Sequence, residues 1–297
     1  MKKILITGSQ SFVGNNFRKF SQYKEVEEIS LVENKPEEID FSKFEVVLHL
    51  AAIVHQSRKI PDSKYYYVNR DLSYRVAECS RNAGVRQFVF LSTVKVYGNY
   101  NPGSELRNEY SECYPDDPYG KSKLEAENSI RKLEDKGFIV SIIRTPLIYG
   151  EGVKAKMLSM IKLVDSVGIL PFGKLNNKRN YTYSENLVGF IDRIIERGAR
   201  GTFIAMDEYP LSTTEIVLLL SKYLGRKVVL FKLPDALIRL GTILIPSVFE
   251  RLYGSLEFDN RKTKQELNYV PPFSPEEGIK QMIISYKKKE LKQFMNR

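Results

Sequence analysis

Cysteine and histidine are scarce in this 297-residue chain, at two each, and their scarcity narrows the chemistry first. Cys79 and Cys113 form no CxxC pair, no metal-ligand spacing and no disulfide framework. Adding His49 and His55 still leaves too few ligands for a zinc site built from His and Cys, so no metal is expected. Long apolar runs are missing too. After Met-Lys-Lys only Ile4 to Thr7 precede Gly8, which is too short for a signal-peptide core. The most apolar later stretch, Ala236 to Phe249, is broken by Arg239, Gly241 and Pro246 and is too short to span a bilayer. It is expected to be core of a lobe rather than a membrane dock. The expected compartment is the cytoplasm, with peripheral membrane contact left open. There is no internal repeat and no low-complexity tract.

What is present is the balance of a globular protein: 42% hydrophobic and 28% charged residues, with 16 Phe and 18 Tyr to fill a core. The net charge of +10 admits nucleic acid, an anionic membrane face or an anionic small substrate. No nucleic-acid recognition motif accompanies it, so no nucleic-acid partner is expected.

Lys3–Thr7, Val26–Val32, Glu45–Ala52, Gln87–Ser92 and Phe138–Arg144 read as strands, and Asp62–Gly84 and Pro118–Lys136 as helices. Alternation at this spacing predicts right-handed βαβ crossovers and an α/β fold, a doubly wound parallel sheet covered on both faces. After Gly150 the rhythm weakens. Helices over Ala155–Val167, Ser184–Arg197 and Thr213–Leu224 suggest a smaller C-terminal lobe. We therefore expect a Rossmann domain over 1–150, with part of 184–205 returning to it, and a substrate lobe over 151–297. Tyr-Lys-Lys-Lys near the C-terminus reads as a basic helix end or tail.

Thr7–Gly14, TGSQSFVG, lies where a dinucleotide-binding turn must lie, after the first strand and opening the first helix. Gly8 makes the bend and Gly14 lets helix and sheet approach, while Ser11, Phe12 and Val13 place free N–H groups near a pyrophosphate. The usual middle glycine is missing. Ser11 stands there, where its Cβ crowds the pyrophosphate or its hydroxyl donates to it. Glu33, 25 residues after Gly8, suits the ribose hydroxyls at the end of the second strand. An acid there leans towards NAD over NADP.

Tyr119 and Lys123 are four residues apart, which puts both on one helix face. An ammonium beside a phenol favours phenolate, which would make Tyr119 an acid/base near neutrality. Thr93 ends the preceding strand, and ligands in doubly wound sheets bind beyond strand carboxyl ends.

In order along the chain, TGSQSFVG, VVLHLAAIVH, AGVRQFVFLSTVKVYG, PYGKSKLEAE and IIRTPLIYG resemble an extended short-chain dehydrogenase/reductase of the nucleotide-sugar epimerase/dehydratase/reductase group, from Lys3 to about Tyr286. The resemblance implies Tyr119 as acid/base, Lys123 on the nicotinamide ribose, and Thr93 on the reacting sugar oxygen. It also implies Asp40 and Phe41 at adenine, Ala51 and Ala52 beside the cofactor, and Asn69 as a structural support. His55 falls in a loop near the site and His49 in the core. In the lobe, Arg179 and Arg251 match the arginines that hold the diphosphate of a UDP- or dTDP-sugar. The segment Arg251–Gln281 resembles bacterial UDP-N-acetylhexosamine epimerases and 4-ketoreductases of surface-polysaccharide pathways. Relatives often form homodimers through helices corresponding to Asp62–Gly84 and Pro118–Lys136.

Dehydratases of this group carry an Asp-Glu pair after the hydroxyl residue, whereas Val94 and Lys95 follow Thr93 here, so dehydration is not expected. Two reactions at C4 remain: epimerisation with NAD, and ketoreduction with NAD(P)H. The wider resemblance favours a UDP-hexose or UDP-N-acetylhexosamine 4-epimerase. The compressed segment between Glu33 and Asp40 favours the reductase. A non-catalytic dinucleotide-sensing regulator is the rival from another class, and the retained Tyr119–Lys123 pair argues against it.

Overall fold

A computed structural model describes residues 2–54, 60–98 and 106–295 of the chain. Strand β1 (Ile4–Thr7) is buried at every position and runs through the glycine turn into α1 (Phe12–Phe20) and then β2 (Val26–Ile29). β2 stops three residues before the expected Val32. The Ile29 carbonyl accepts from the Gly8 and Ser9 N–H groups, and Asn34 closes a turn onto the Ser30 carbonyl. Glu33 therefore sits in an exposed turn, not on a strand end.

Between β2 and β3 (Val46–His49) the chain makes only two short 3-10 turns, Pro36–Glu38 and Phe41–Lys43. The expected helix over Asp62–Gly84 is one continuous rod with a defect: α2 (Asp62–Tyr65), a π-helical stretch Tyr66–Leu72, and α3 (Ser73–Asn82). β4 (Gln87–Thr93), α4 (Pro118–Arg131) and β5 (Ile139–Thr145) follow. Asp117 caps α4 by accepting from the Gly120 N–H, with Pro118 in the first turn, as the sequence predicts.

Beyond β5 come β6 (Leu147–Tyr149), α5 (Ala155–Ser166), β7 (Ile169–Leu170), β8 (Tyr181–Tyr183), α6 (Ser184–Arg197) and β9 (Gly201–Ile204). The chain ends with α7 (Thr213–Leu224), β10 (Val229–Leu230), α8 (Asp235–Leu244), α9 (Pro246–Tyr253), α10 (Arg261–Leu267) and α11 (Pro275–Met295).

Six parallel strands form the main sheet in the order β2-β1-β3-β4-β5-β9. The order reverses beside β1, and a ligand crevice opens at such a point, outside the carboxyl ends of the strands.

The chain divides into two compact units. The first runs to Pro146 and adds Leu187–Ala205 and Asp259–Val270; the second holds Leu147–Asn186, Met206–Phe258 and the chain from Pro271. From sequence alone, 259–270 is expected in the lobe. Instead, Thr263 Oγ1 accepts from the Ile204 N–H at 2.8 Å and Asn260 Nδ2 donates to the Ile204 carbonyl at 3.3 Å, which fastens this segment to the edge strand β9. The first core gathers Leu5, Val47, Phe88, Phe90 and Ile142 with Val76 of α3 and Ala126 of α4. The second gathers Tyr149, Ile161, Tyr183, Val217 and Ile283. At its centre Asp207 accepts from the Tyr149 hydroxyl, the Tyr183 N–H and the Asn186 amide at 2.8 to 2.9 Å.

One expectation fails in the second unit. The Ala236–Phe249 stretch is not lobe core: it forms α8 and the start of α9, and most of its large aliphatic side chains face out. Among the described residues, no helix is long and apolar enough to cross a membrane.

Candidate active site

The glycine turn is shaped by one close approach. Gly8 adopts φ +105°, and a Cβ there would stand 2.7 Å from the Ala51 backbone nitrogen, so any side chain would force β1 and β3 apart at their carboxyl ends. Ser11, which replaces the usual middle glycine, is the N-cap of α1. Its hydroxyl oxygen caps α1 by accepting from the Gly14 N–H at 3.0 Å, which leaves the first-turn N–H groups of Phe12 and Val13 without helical partners at the mouth of the turn. This is a cradle that fits a pyrophosphate. Ala51 and Ala52 follow β3 directly and are partly open.

Asp40 is exposed; it accepts from the Ser42 hydroxyl at 2.6 Å and pairs with Lys43 at 3.1 Å. Phe41 is 1% exposed and packed in the first core, so its ring is spent there. His55 lies outside the described residues.

At the end of β4, Thr93 is buried, its hydroxyl oxygen accepts from the Lys95 N–H at 3.2 Å, and the same hydroxyl lies close enough to the phenol of Tyr119 to lower its pKa. The structure thus brings together two residues 26 positions apart. Tyr119 is partly open to solvent, yet its phenol is crowded. Desolvation pushes it up to about 12; the Thr93 hydroxyl pulls the other way, and the Asp117 carboxylate adds to the rise.

Lys123 departs from expectation. It shares the helix face of Tyr119, but its ammonium turns under the sheet, donates to the Leu91 carbonyl at 2.7 Å and lies 3.7 Å over the Phe90 ring. With 1% exposure, burial lowers it to about 7, and Glu127 one turn further along α4 opposes that fall. The expected lowering of Tyr119 by a neighbouring ammonium is therefore not what this arrangement delivers. Tyr119 is held as a neutral phenol, with the neighbouring Thr93 hydroxyl favouring the phenolate against that rise.

Behind these side chains lies a support that sequence reasoning missed. Glu127, fully buried, takes three contacts from Arg144 of β5, the shortest 2.6 Å, and accepts from the Ser92 hydroxyl next to Thr93. The Arg144 guanidinium in turn lies 4.8 Å from the Tyr97 ring centre. The signal was an acid on the inward face of α4, one turn after Lys123. His49 is core, as expected: it is flanked by Thr7 and Ser73 hydroxyls at 2.7 and 2.9 Å, and burial first, then repulsion from Lys123, lowers it to about 3. Asn69, in the π-helical stretch, clamps both backbone groups of Ile53 at 2.8 and 3.0 Å and touches the Ser122 hydroxyl beside Lys123. That is the supporting role the resemblance implied, applied to the chain just past Ala51 and Ala52.

In the second unit Arg179 donates to the Glu250 and Gly254 carbonyls at 3.2 and 3.0 Å, around the end of α9, with the Tyr181 phenol nearby. Burial lowers its pKa, and the Arg251 guanidinium is close enough to lower it further.

Comparison with known proteins places this geometry. Residues 4–204 match the model of the NAD dependent epimerase/dehydratase family. The chain is 32% identical to a UDP-glucose 4-epimerase of Vibrio cholerae, covering 94% of each chain. It is 30% identical, over 67% of this chain and 60% of the relative, to N-acetyl-alpha-D-glucosaminyl-diphospho-ditrans,octacis-undecaprenol 4-epimerase of Escherichia coli O157:H7. Among solved structures, the fold matches UDP-glucuronic acid 4-epimerase from Bacillus cereus in complex with NAD, with TM-score 0.73 and 19% identity over 97% of this chain and 99% of that one. It also matches RMD from Pseudomonas aeruginosa complexed with NADPH, with TM-score 0.79 and 13% identity over 97% of this chain and 100% of that one. The glycine cradle, the parallel sheet and this match over two-thirds of the sequence make the chain a member of the NAD dependent epimerase/dehydratase family.

Proposed function

We propose that the chain inverts C4 of a UDP-hexose or UDP-N-acetylhexosamine, and the observation that carries this is the Thr93 hydroxyl set beside the Tyr119 phenol at the carboxyl end of β4. Tyr119, once its own proton has passed to solvent, takes the proton of the C4 hydroxyl as phenolate and later returns it, while Thr93 holds the same oxygen in place. Lys123 lies against the nicotinamide ribose. Gly8, Ser11, Phe12, Val13 and Gly14 hold the pyrophosphate of the dinucleotide, Ala51 and Ala52 flank it, Glu33 reaches the ribose, and Asp40 with the Phe41 backbone meets adenine. When bound, NAD would supply reversible hydride exchange at C4. Arg179 and Arg251 hold the substrate diphosphate. The absence of an acid pair after Thr93, where Val94 is buried and Lys95 pairs with Asp117 at 3.7 Å, argues against dehydration.

Two observations favour a second reading, a UDP-4-keto-sugar 4-ketoreductase. The β2–β3 connection is short, and Tyr119 is held protonated, which is the form that gives a proton to a ketone oxygen. Denaturing the purified protein and identifying the released nucleotide separates the two. Stoichiometric NAD supports the epimerase, and turnover between UDP-hexose C4 epimers should follow. An empty protein that oxidises NADH or NADPH with a UDP-4-keto sugar would establish the reductase instead.

A further inference from the structure

The α8–α9 hairpin inverts the usual arrangement of an amphipathic pair. Its inner side closes at Gly241, which is buried beneath the Phe249 ring; a Cβ there would stand 2.1 Å from that ring. With α9 seated on that side, the adjoining face of α8 carries Ala236, Leu237, Leu240, Ile243 and Leu244 at helical spacing. It faces outward: Leu237 and Leu240 are 50% exposed, Leu244 68% and Ile243 76%, with Ile245 continuing the stripe. The strand pair that leads into α8 adds more, since Ile169 and Val229 sit opposite each other in register and both are exposed, followed by exposed Phe231.

Charge at the margins is basic in balance, with Lys227, Lys232 and Arg239 set against Asp235 and Glu250. Between Asp235 and Glu250 the only ionisable side chain is Arg239, exposed beside the stripe, and Lys227 and Lys232 are exposed ahead of it. Asp235, the acid nearest the stripe, is paired with Lys232 at 3.7 Å. The whole chain carries +10. Protein–protein interface cores are enriched in aromatic residues and methionine, and the face of α8 has neither. A short helix with an aliphatic face and basic flanks is instead the pattern that lies in the plane of a bilayer, its apolar side among the acyl chains and its cations at anionic headgroups.

We infer that α8 is a membrane-docking helix that seats this chain on an anionic lipid bilayer. The attachment is interfacial, and it is independent of whether the catalytic reading is epimerase or reductase.

Flotation of the full-length protein with vesicles tests it, comparing pure phosphatidylcholine with a mixture containing roughly one-third phosphatidylglycerol. The wild type should rise with the anionic vesicles and much less with the neutral ones. The double variant Leu240→Ser/Ile243→Ser should lose at least ~10-fold in bound fraction while melting at the wild-type temperature, since both sites are exposed. Arg239→Glu should weaken binding to the anionic vesicles only. Three results would overturn the inference: wild type left at the bottom of the gradient, a double variant that floats as well as wild type, or sedimentation showing a dimer of this chain that the double variant converts to monomers.

Discussion

Helices α4 and α8 break the same packing rule in opposite directions. On α4, Lys123 and Glu127 are taken almost wholly out of water; on α8, Ile243 and Leu244 are left in it. Globular folds ordinarily do neither, because burying an ion and exposing a large aliphatic side chain both cost free energy. Each exception is bounded. The α4 charges are matched by Arg144, Ser92 and the Leu91 carbonyl; the α8 aliphatics are bordered by cations. The contrast teaches that a violated rule marks a functional demand. A buried ion pair positions something within the fold, and an exposed apolar stripe meets something outside it.

That contrast can be broken most forcefully at Arg144. Arg144→Ala leaves Glu127 charged and buried, and should cost about 3–5 kcal/mol in chemical denaturation. A loss under about 1 kcal/mol would mean the pair is solvated and the α4 side of the comparison fails. Tyr119→Phe should keep the melting temperature and lose at least ~10²-fold in turnover on whichever nucleotide sugar the wild type converts. Full activity in that variant would remove Tyr119 from the chemistry.

Lys123 gives a subtler test through pH. Its folded pKa of about 7 lies below the ordinary 10.5, so between these values the unfolded chain binds more protons than the folded one. Stability contributed by this site should therefore rise as pH climbs from about 7 to 10, by at most about 1.4 kcal/mol per unit. Lys123→Met should lack that slope in paired denaturation curves. The smallest effect is expected on α8: Ile243→Ser should change folding stability by no more than about 0.5 kcal/mol. A loss of several kcal/mol there would show the stripe to be packed.

Much of the first unit was legible in the sequence. β-branched runs ending at Gly8, Thr93 and Arg144 announce buried parallel strands, and the Asp117-Pro118 pair fixes where α4 begins. What stayed hidden depends on contacts distant in sequence. Glu127 and Arg144 lie on different elements, and neither local pattern names the other. The return of 259–270 to β9 includes a bond that Thr263 accepts from Ile204 and one that Asn260 donates to it, from residues far apart in sequence. Spacing placed Tyr119 and Lys123 on one helix face correctly, but a long flexible side chain chose the Leu91 carbonyl over the phenol. For α8, periodicity reveals the stripe and is silent about which way it faces.

The short link between β2 and β3 leaves the sheet ending at β2 on that side, with half of that strand's backbone groups unpaired by any neighbour in the sheet. Such a border invites a stranger's strand to add itself. Here the border is four residues long and carries Glu27 and Glu28 in its middle, with Glu27 tied to Lys3 at 2.8 Å. A brief, charged hem of this kind discourages growth of the sheet from one molecule into the next. A chain that economised on its outermost strand thereby keeps its sheet from fusing with a neighbour's when crowded.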